Sequence, residues 1–394
     1  MESVSIVTSF FLIFSGAAVL ASVVLYTRQP IIIAYIVLGA LIGPYGLHYV
    51  SDAHLLSEIA EIGIIFLLFL LGLDMQPSSL MHMIKKATLV AIASSLIFAL
   101  TGFAVGQAFG YSIIESLIIG CAMMFSSTII GIKLLPTTVL HHKHTGELVV
   151  GLLLLQDLIA IVVLLILGGS ADSVDNEQAS GLIDFVKTIL TLPVLIFLVF
   201  FVVKHVIFKL IMAFDRFHEY IFLLAIGWCL GVSELAHAVG LSYEIGAFLA
   251  GISIATSPIA QYIAENLKPL RDFFLVLFFF SLGASFNLSL LGQVILPSLL
   301  LAVLIIAIKP ISFRMLLKTT KEPDDIAWEV GFRLGQISEF SLLIAYLATA
   351  SNLIGVEASH LIQATAILTF ILNSYIVIFR YPSPIAISDK LRRD

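Results

Sequence analysis

The chain has 394 residues, of which 60% are hydrophobic and only 12% are charged. Because soluble domains have about a quarter of their residues charged, this composition excludes an ordinary soluble protein and indicates a membrane protein. The net charge of −6 identifies no partner, and the two cysteines, which both lie in apolar runs, form neither a disulfide framework nor a metal-ligand spacing.

A membrane-spanning helix needs about 20 apolar residues, and this length predicts thirteen helices. The N-terminal stretch "MESVSIVTSFFLIF" lacks a basic region and is predicted to be a retained first helix rather than a signal peptide. The predicted helices occupy residues 4–25, 30–47, 55–74, 87–109, 112–135, 147–168, 181–203, 218–236, 240–256, 270–285, 290–313, 326–350 and 357–379.

The basic residues are distributed very unequally between the two sides of these helices. Sixteen of the twenty follow odd-numbered helices or lie in the tail: Arg28, Lys85, Lys86, Lys143, Lys204, Lys209, Arg216, Lys268, Arg271, Arg314, Lys318, Lys321, Arg380, Lys390, Arg392 and Arg393. The opposite side has only Lys187. This positive-inside asymmetry predicts a multi-pass protein of the inner (plasma) membrane, with the N-terminus outside, the C-terminus cytoplasmic and the acidic loop 171–181 outside.

Gln156 and Asp157 lie in the middle of the predicted sixth helix. A charged carboxylate at the bilayer centre costs about 2.5–3.5 kcal/mol, so such a residue indicates a functional site; the alternative is a structural Asp paired with a base. One carboxylate can hold a proton or a metal cation but not both, which is the chemistry of exchange. Gln156 offers a neutral oxygen to an alkali cation, or a hydrogen bond between helices.

Two predicted helices contain polar interruptions, "MMFSSTIIGIKLLP" in the fifth and "GFRLGQISEFSLL" in the twelfth. Each cluster alone is typical of close helix packing. Because the two flank the Asp157 helix, one in each half of the chain, they predict inverted repeats with broken helices around an ion site. Glu339, in the second interruption, is expected to have a functional or electrostatic role.

Other ionisable residues have competing interpretations. Lys309 precedes Pro310 within the eleventh helix and is equally consistent with pairing to a carboxylate and with snorkelling towards the surface near Arg314. Lys133 and Arg333, each near a cytoplasmic helix end, are predicted to snorkel. No role is assigned to Glu61, Asp74 or Glu244 near helix ends, and His141, His142 and His144 are predicted to lie in a solvated loop, with pH sensing as the alternative.

The chain resembles the monovalent cation:proton antiporter-2 family, and within it the Kef-type potassium efflux transporters. The matching segments are "AYIVLGALIGPYGL" (34–47), "AEIGIIFLLFLLGLDMQP" (60–77), "SSTIIGIKLL" (126–135), "LLLLQDLIAI" (152–161), "LSYEIGAFLAGISIA" (241–255), "LFFFSLGASFNL" (277–288) and "GQISEFSLLI" (335–344). They follow one another in order along essentially the whole chain.

The resemblance implies an all-α polytopic membrane protein, with thirteen transmembrane helices and two crossed, interrupted helices near Asp157. It implies a homodimer with a dimer domain (about 1–80 and 212–288), an ion-carrying core domain (about 81–170 and 289–381), a linker helix (about 171–211) and a cytoplasmic tail (382–394). The core domain would slide like an elevator while Asp157 binds cation and proton in turn. The residues implied at the site are Asp157, Gln156, Ser127, Thr128, Ser338, Glu339 and Lys309.

The expected activity is therefore secondary antiport of K⁺ for H⁺ with no cofactor, Asp157 and Gln156 holding the alkali cation. Membrane lipid is an expected partner and nucleic acid is not. Na⁺/H⁺ exchange stays open. A gated channel and an enzyme are less consistent, because no "TVGYG" filter, Ser/His/Asp arrangement or HExxH is present. An organic-anion symporter is less consistent with thirteen helices and with Gln156 and Asp157 at the midplane. Kef proteins usually continue into a cytoplasmic nucleotide-binding domain that is absent from this sequence, so the chain is either a shorter relative or a transport domain separated from a regulatory one.

Overall fold

The computed structural model describes residues 6–50, 53–74, 77–135, 144–171, 181–214, 216–239, 241, 243–257 and 259–383. Every element of three or more residues in these ranges is helical. The helices are α1 (Ile6–Tyr26), α2 (Ile31–Ile42), α3 (Ala53–Asp74), α4 (Pro77–Ala108), α5 (Ile113–Met123), α6 (Thr128–Lys133), α7 (His144–Ala171), α8 (Gly181–Val202), α9 (Phe208–Ala213), α10 (His218–Ala238), α11 (Tyr243–Ile254), α12 (Ala260–Ala284), α13 (Leu291–Thr319), α14 (Asp324–Arg333), α15 (Glu339–Ala350) and α16 (Val356–Arg380).

Each of the thirteen predicted segments falls on helical residues, and the fifth and twelfth are both divided in two. Seven of the described helices are long and apolar enough to cross a membrane. The shorter ones, including the halves of the divided helices, do not meet that length on their own, so thirteen crossings stay a prediction. The largest boundary errors are ten residues at two helix starts: α4 begins at Pro77 rather than at 87, and α12 begins at Ala260 rather than near 270. The first turns of α12 are amphipathic, so a hydropathy scale does not identify them as part of a membrane-spanning helix.

The backbone forms two compact units. The first unit comprises residues 1–17, 35–80 and 165–285, and the second comprises 18–34, 81–164 and 286–394. The predicted dimer and core domains are defined by function, and that assignment stays a prediction.

Glycine allows helices of the first unit to approach each other closely. A Cβ atom on Gly39 of α2 would lie 2.0 Å from the carbonyl oxygen of Phe280 on α12, and one on Gly283 of α12 would lie 2.0 Å from that of Ile36 on α2. No other residue type permits this separation, so the two backbones touch along a stripe without side chains. Stacked rings of Phe14 and Phe273, 4.9 Å apart, continue the packing.

The second unit contains both divided helices. Its α13 packs against α14 and α16, while α15 packs against α5 and α16. Around these contacts lie most of the buried polar side chains that the structure describes. The candidate site is built from them.

Candidate functional site

The first interruption lies between Met123, the last residue of α5, and Thr128, the first of α6. A helix break leaves backbone groups without intrahelical partners, and inside a membrane other groups must satisfy them. Side chains do so here. Ser127 Oγ accepts a hydrogen bond from the backbone N–H of Ile130 at 3.1 Å, and the backbone N–H of Ser126 donates to Oε1 of Gln156 at 3.0 Å.

The second interruption lies between Arg333, the last residue of α14, and Glu339, the first of α15. Ser338 caps α15, its Oγ accepting from the backbone N–H of Phe340 at 3.1 Å. The backbone N–H of Ile337 donates to Oγ1 of Thr369 on α16 at 3.3 Å. Both breaks are therefore stabilised by hydroxyl groups, which the serine-rich and glycine-rich sequences supply.

The two interruptions contact each other. Ser126 Oγ donates to the carbonyl oxygen of Leu334 at 2.9 Å, and Thr128 Oγ1 donates to Oε1 of Glu339 at 2.8 Å. Ser341 Oγ, in the first turn of α15, donates to the carbonyl oxygen of Ala122 near the end of α5. Residues about 210 positions apart in the chain thus form one polar cluster.

Lys309 of α13 lies at the centre of this cluster and is completely buried. Its Nζ donates to the carbonyl oxygen of Phe125 at 2.6 Å, to Oγ of Ser126 at 3.1 Å and to the carbonyl oxygen of Gln336 at 3.0 Å. The snorkelling interpretation is wrong for Lys309, because the amine uses all three donors inside the protein. The alternative, pairing with a carboxylate, is not found among the ion pairs of the described residues either. Backbone and hydroxyl oxygens surround the amine instead.

Asp157 lies at the middle of α7 and has no exposed surface. Within the described part of the chain, neither of its carboxylate oxygens has a hydrogen-bond partner. Because an ionised carboxylate without a partner is very costly to bury, this side chain needs either a proton or a bound cation.

Gln156 forms the hydrogen bond between helices that was one of its two interpretations. Its Oε1 accepts from Ser126, while its Nε2 has no partner among the described residues. Because Gln156 directly precedes Asp157 in α7, its hydrogen bond with Ser126 places this part of α7 beside the first interruption. The amide oxygen of Gln156 retains a second lone pair, so this hydrogen bond does not prevent it from binding a cation. The role of Gln156 as a cation ligand stays a prediction.

All seven predicted site residues belong to the second unit. The hydrogen bonds link six of them to the two interruptions, and Asp157 adjoins the cluster through Gln156. Sequence reasoning missed two amides that extend it. Gln336 Nε2 approaches the carbonyl oxygen of Ser127 at 3.5 Å, and Asn373 of α16 donates to Oε1 of Gln336 and, at 3.0 Å, to the carbonyl oxygen of Phe332. Asn373 was detectable as an amide within the apolar "LTFILNSYIVIF".

The snorkelling prediction is also wrong for Arg333. Its guanidinium is buried and donates to Oε1 of Glu329 at 2.7 Å, to the carbonyl oxygen of Leu134 at 3.0 Å and to that of Pro382 at 2.9 Å. One arginine thus joins α14 to the chain that follows α6 and to the chain that leaves α16. The side chain of Lys133 lies outside the described residues.

The histidine-rich segment is described only from His144, the first residue of α7. His144 is about half exposed, and its Nε2 lies 2.8 Å from Oε2 of Glu322. His141, His142, the loop 172–180, the tail from 384 and the side chain of Glu244 lie outside the described residues. Among the described residues no three His, Cys, Asp or Glu side chains are grouped as a metal site. That Asp157 and Gln156 hold an alkali cation stays a prediction.

Broken helices that meet beside a buried, uncompensated carboxylate define the class: an ion-coupled membrane transporter. The model of the transmembrane sodium/hydrogen exchanger family matches residues 10–379. The chain belongs to this family, and its predicted relationship to the Kef-type cation:proton antiporters is confirmed by its relatives.

Two relatives and one solved structure illustrate the similarity. The chain is 29% identical to K(+) efflux antiporter 5 of Arabidopsis thaliana over 84% of its length and 58% of the relative's. It is 29% identical to the putative cation/proton antiporter YbaL of Escherichia coli over 87% of its length and 62% of the relative's. The chain thus spans about three fifths of these relatives.

The fold is that of the sodium proton antiporter MjNhaP1 from Methanocaldococcus jannaschii. The TM-score is 0.72 at 18% identity, over 94% of this chain and 96% of the other. This likeness establishes a multi-pass antiporter fold.

Proposed function

We propose that this protein exchanges K⁺ for H⁺ across the membrane, with Asp157 binding the cation and the proton in turn. The observation that supports this most directly is the state of Asp157: it is completely buried, and neither oxygen has a hydrogen-bond partner in the described part of the chain. A carboxylate committed to structure would accept hydrogen bonds or pair with a base. An uncompensated one binds whatever positive charge enters.

The neighbouring side chains have separate roles in this proposal. Gln156 orients the first interruption and offers an amide oxygen to the cation. Lys309 holds the two interruptions together through three hydrogen bonds. Thr128 and Glu339, joined at 2.8 Å, link the starts of α6 and α15, with Ser127 and Ser338 capping them. Proton and monovalent cation carry the same charge, so exchanging one for the other leaves the charge of the second unit unchanged.

Alternating access by an elevator movement is part of the proposal. The second unit would carry Asp157 across the membrane, and the first unit would form the homodimer. All the described site residues belong to one unit, as a site that moves as a body requires. The protein would lie in the inner (plasma) membrane with a cytoplasmic C-terminus and a nucleotide-binding regulatory domain, joined or separate, as partner.

Na⁺/H⁺ exchange is the second candidate, because the family description names sodium. The relatives described as K(+) efflux antiporters favour potassium. Neutral oxygens of Gln156, Thr128 and the interrupted backbone suit either alkali cation, and cavity dimensions decide between them.

Proton flux in proteoliposomes tests the proposal. Vesicles containing a pH-sensitive dye and an imposed pH gradient receive K⁺, Na⁺ or choline. The wild type is compared with Asp157→Asn and with Asp272→Asn, a control whose side chain is 64% exposed. We expect K⁺ to collapse the gradient with the wild type and the control, while Asp157→Asn stays at the level of empty vesicles.

Two other outcomes overturn parts of the proposal. Collapse by Na⁺ alone would retain the mechanism and reject the assignment of potassium. Exchange by a folded Asp157→Asn variant at the wild-type rate would make Asp157 structural and remove the central claim. A monodisperse peak in size-exclusion chromatography establishes that the variant is folded.

A further inference from the structure

A groove on the second unit runs between α13 and α16 and encloses about 780 Å³. Its walls are apolar, with Val303 and Ile306 on α13 and Leu372 and Ile376 on α16. Val303 is 52% exposed and Leu372 is 38% exposed. On a membrane protein such a surface meets hydrocarbon, so the groove has the volume and chemistry to take an acyl chain.

One end of this groove is charged. Arg380, the last residue of α16, lines it, and its guanidinium lies 5.0 Å from the ring of Phe332. Two other arginines of this unit have carboxylate partners: Arg314 pairs with Asp324, and Arg333 with Glu329. The ion pairs of the described residues do not include Arg380, which is exposed. Its described side-chain contacts are with the ring of Phe332 and with the side chain of Tyr381, which are both uncharged, so these contacts leave its positive charge without a counter-charge.

Aromatic and hydroxyl groups surround the same end. Tyr375 lines the groove, and its hydroxyl donates to the carbonyl oxygen of Thr27 at 3.3 Å. Phe379, 63% exposed, lies one residue before the arginine. A tyrosine ring close to the end of a membrane-spanning helix is typical of the membrane–water interface. Under the orientation proposed above, this interface is the cytoplasmic one, where anionic lipids concentrate.

We infer that this groove is a binding site for an anionic phospholipid of the cytoplasmic leaflet, with the phosphate at Arg380 and one acyl chain between α13 and α16. A guanidinium forms paired hydrogen bonds with phosphate oxygens, and its aromatic contact keeps it in place. The described residues that line the groove include no carboxylate that would repel an anionic headgroup.

The bound lipid would also act on the transport site. Phe332 contributes its ring to the groove, while its carbonyl oxygen accepts a hydrogen bond from Asn373 at 3.0 Å. Asn373 in turn donates to Gln336 of the second interruption. A lipid held on Arg380 and Phe332 would brace the end of α14, and we expect anionic lipid to increase the exchange rate.

Native mass spectrometry of the purified protein, titrated with phosphatidylglycerol or phosphatidylcholine, tests binding without requiring transport. Arg380→Gln removes the charge, and Ala307→Phe fills the groove at an exposed position on α13. Arg216→Gln, an exposed arginine of the first unit, is the matched control. A basic side chain near an anionic surface contributes about 1 kcal/mol, so Arg380→Gln should bind phosphatidylglycerol about fivefold more weakly, and the control should not change.

Ala307→Phe should reduce the retention of both lipids, because it blocks the chain and not the headgroup. Retention of phosphatidylglycerol by both groove variants at the wild-type level would overturn the site. Equal affinity of the wild type for the two lipids would overturn its preference for an anionic headgroup. Because the measurement is made on resting protein, it gives the same answer whether or not the protein exchanges K⁺.

Discussion

The interiors of the two units are built by different chemistry. Every buried charged side chain that the structure describes belongs to the second unit: Asp157, Lys309, Arg333 and Glu339. The buried polar side chains described in the first unit are two serines, Ser233 and Ser253, and each bonds a backbone carbonyl of its own helix. Ser253 Oγ also accepts a hydrogen bond from Nε1 of Trp228 at 3.2 Å. Close backbone contact at glycine accounts for much of the remaining packing described in this unit.

This difference reflects what each kind of packing can do. Helices in contact at glycine are held by many small dispersion contacts and tolerate little change in separation. A polar cluster requires each donor and acceptor to have a partner, but it leaves room for a charge to bind. The first kind of interior suits a rigid support. In the function proposed above, the second suits a unit whose buried carboxylate binds ions while the unit remains folded.

Lys309→Met gives the largest effect on stability that this comparison predicts. It keeps the length of the side chain but leaves the carbonyl oxygens of Phe125 and Gln336 without their donor. A buried acceptor that loses its partner costs about 1–3 kcal/mol, so the variant should unfold at a clearly lower temperature in detergent. Thermal unfolding followed by size-exclusion chromatography measures it.

Lys318→Met is the control, because this lysine is on the same helix and its side chain is 48% exposed. We expect a change close to zero. If the two variants lose equal stability, the buried cluster does not hold the second unit together, and the contrast between the units is not energetic.

Gly283→Ala tests the other side of the comparison. The new Cβ would lie 2.0 Å from the carbonyl oxygen of Ile36, so α2 and α12 must separate. Overpacking of this kind costs about 1–3 kcal/mol. Gly227→Ala in α10 is the control, with no atom within 4 Å of the new Cβ, and it should be neutral or stabilising by up to about 1 kcal/mol through helix propensity. A stable Gly283→Ala variant would show that the first unit does not depend on close contact.

Much of this arrangement can be predicted from sequence, for reasons specific to membranes. Long apolar runs identify membrane-spanning helices, because hydrocarbon offers no hydrogen bonds and a helix satisfies its backbone N–H and C=O groups internally. Asp157 is conspicuous because a carboxylate is rare at that depth. The two interruptions are visible because serine and glycine are needed where the backbone leaves the helix.

The hydrogen-bond partners of the buried polar side chains cannot be predicted in the same way. Lys309 and Arg333 each lie close in sequence to a helix end, and spacing along one helix gives no sign that carbonyl groups of other helices surround them. Gln336 joins the polar cluster through both its backbone carbonyl and its side-chain amide, and the sequence gives no sign of this double role. The early start of α12 was missed because amphipathic turns resemble a loop on a hydropathy scale.

The exposed ions of the second unit give the smallest expected effect and a check on the role of burial. Hydrogen bonds from Arg314 and then Lys318 lower the pKa of Asp324 from 3.8 to about 2. Because the folded pKa is the lower one, the stabilisation is present above about pH 4 and is lost as the pH falls towards 2. Solvent screens this group, so Asp324→Asn should lower the unfolding temperature only slightly at pH 7. That difference should shrink with added salt, and unfolding curves from pH 7 to pH 2 should show wild type and variant converging. If Asp324→Asn loses as much stability at pH 7 as Lys309→Met, then the stability of the second unit depends on the number of its polar contacts and not on their burial.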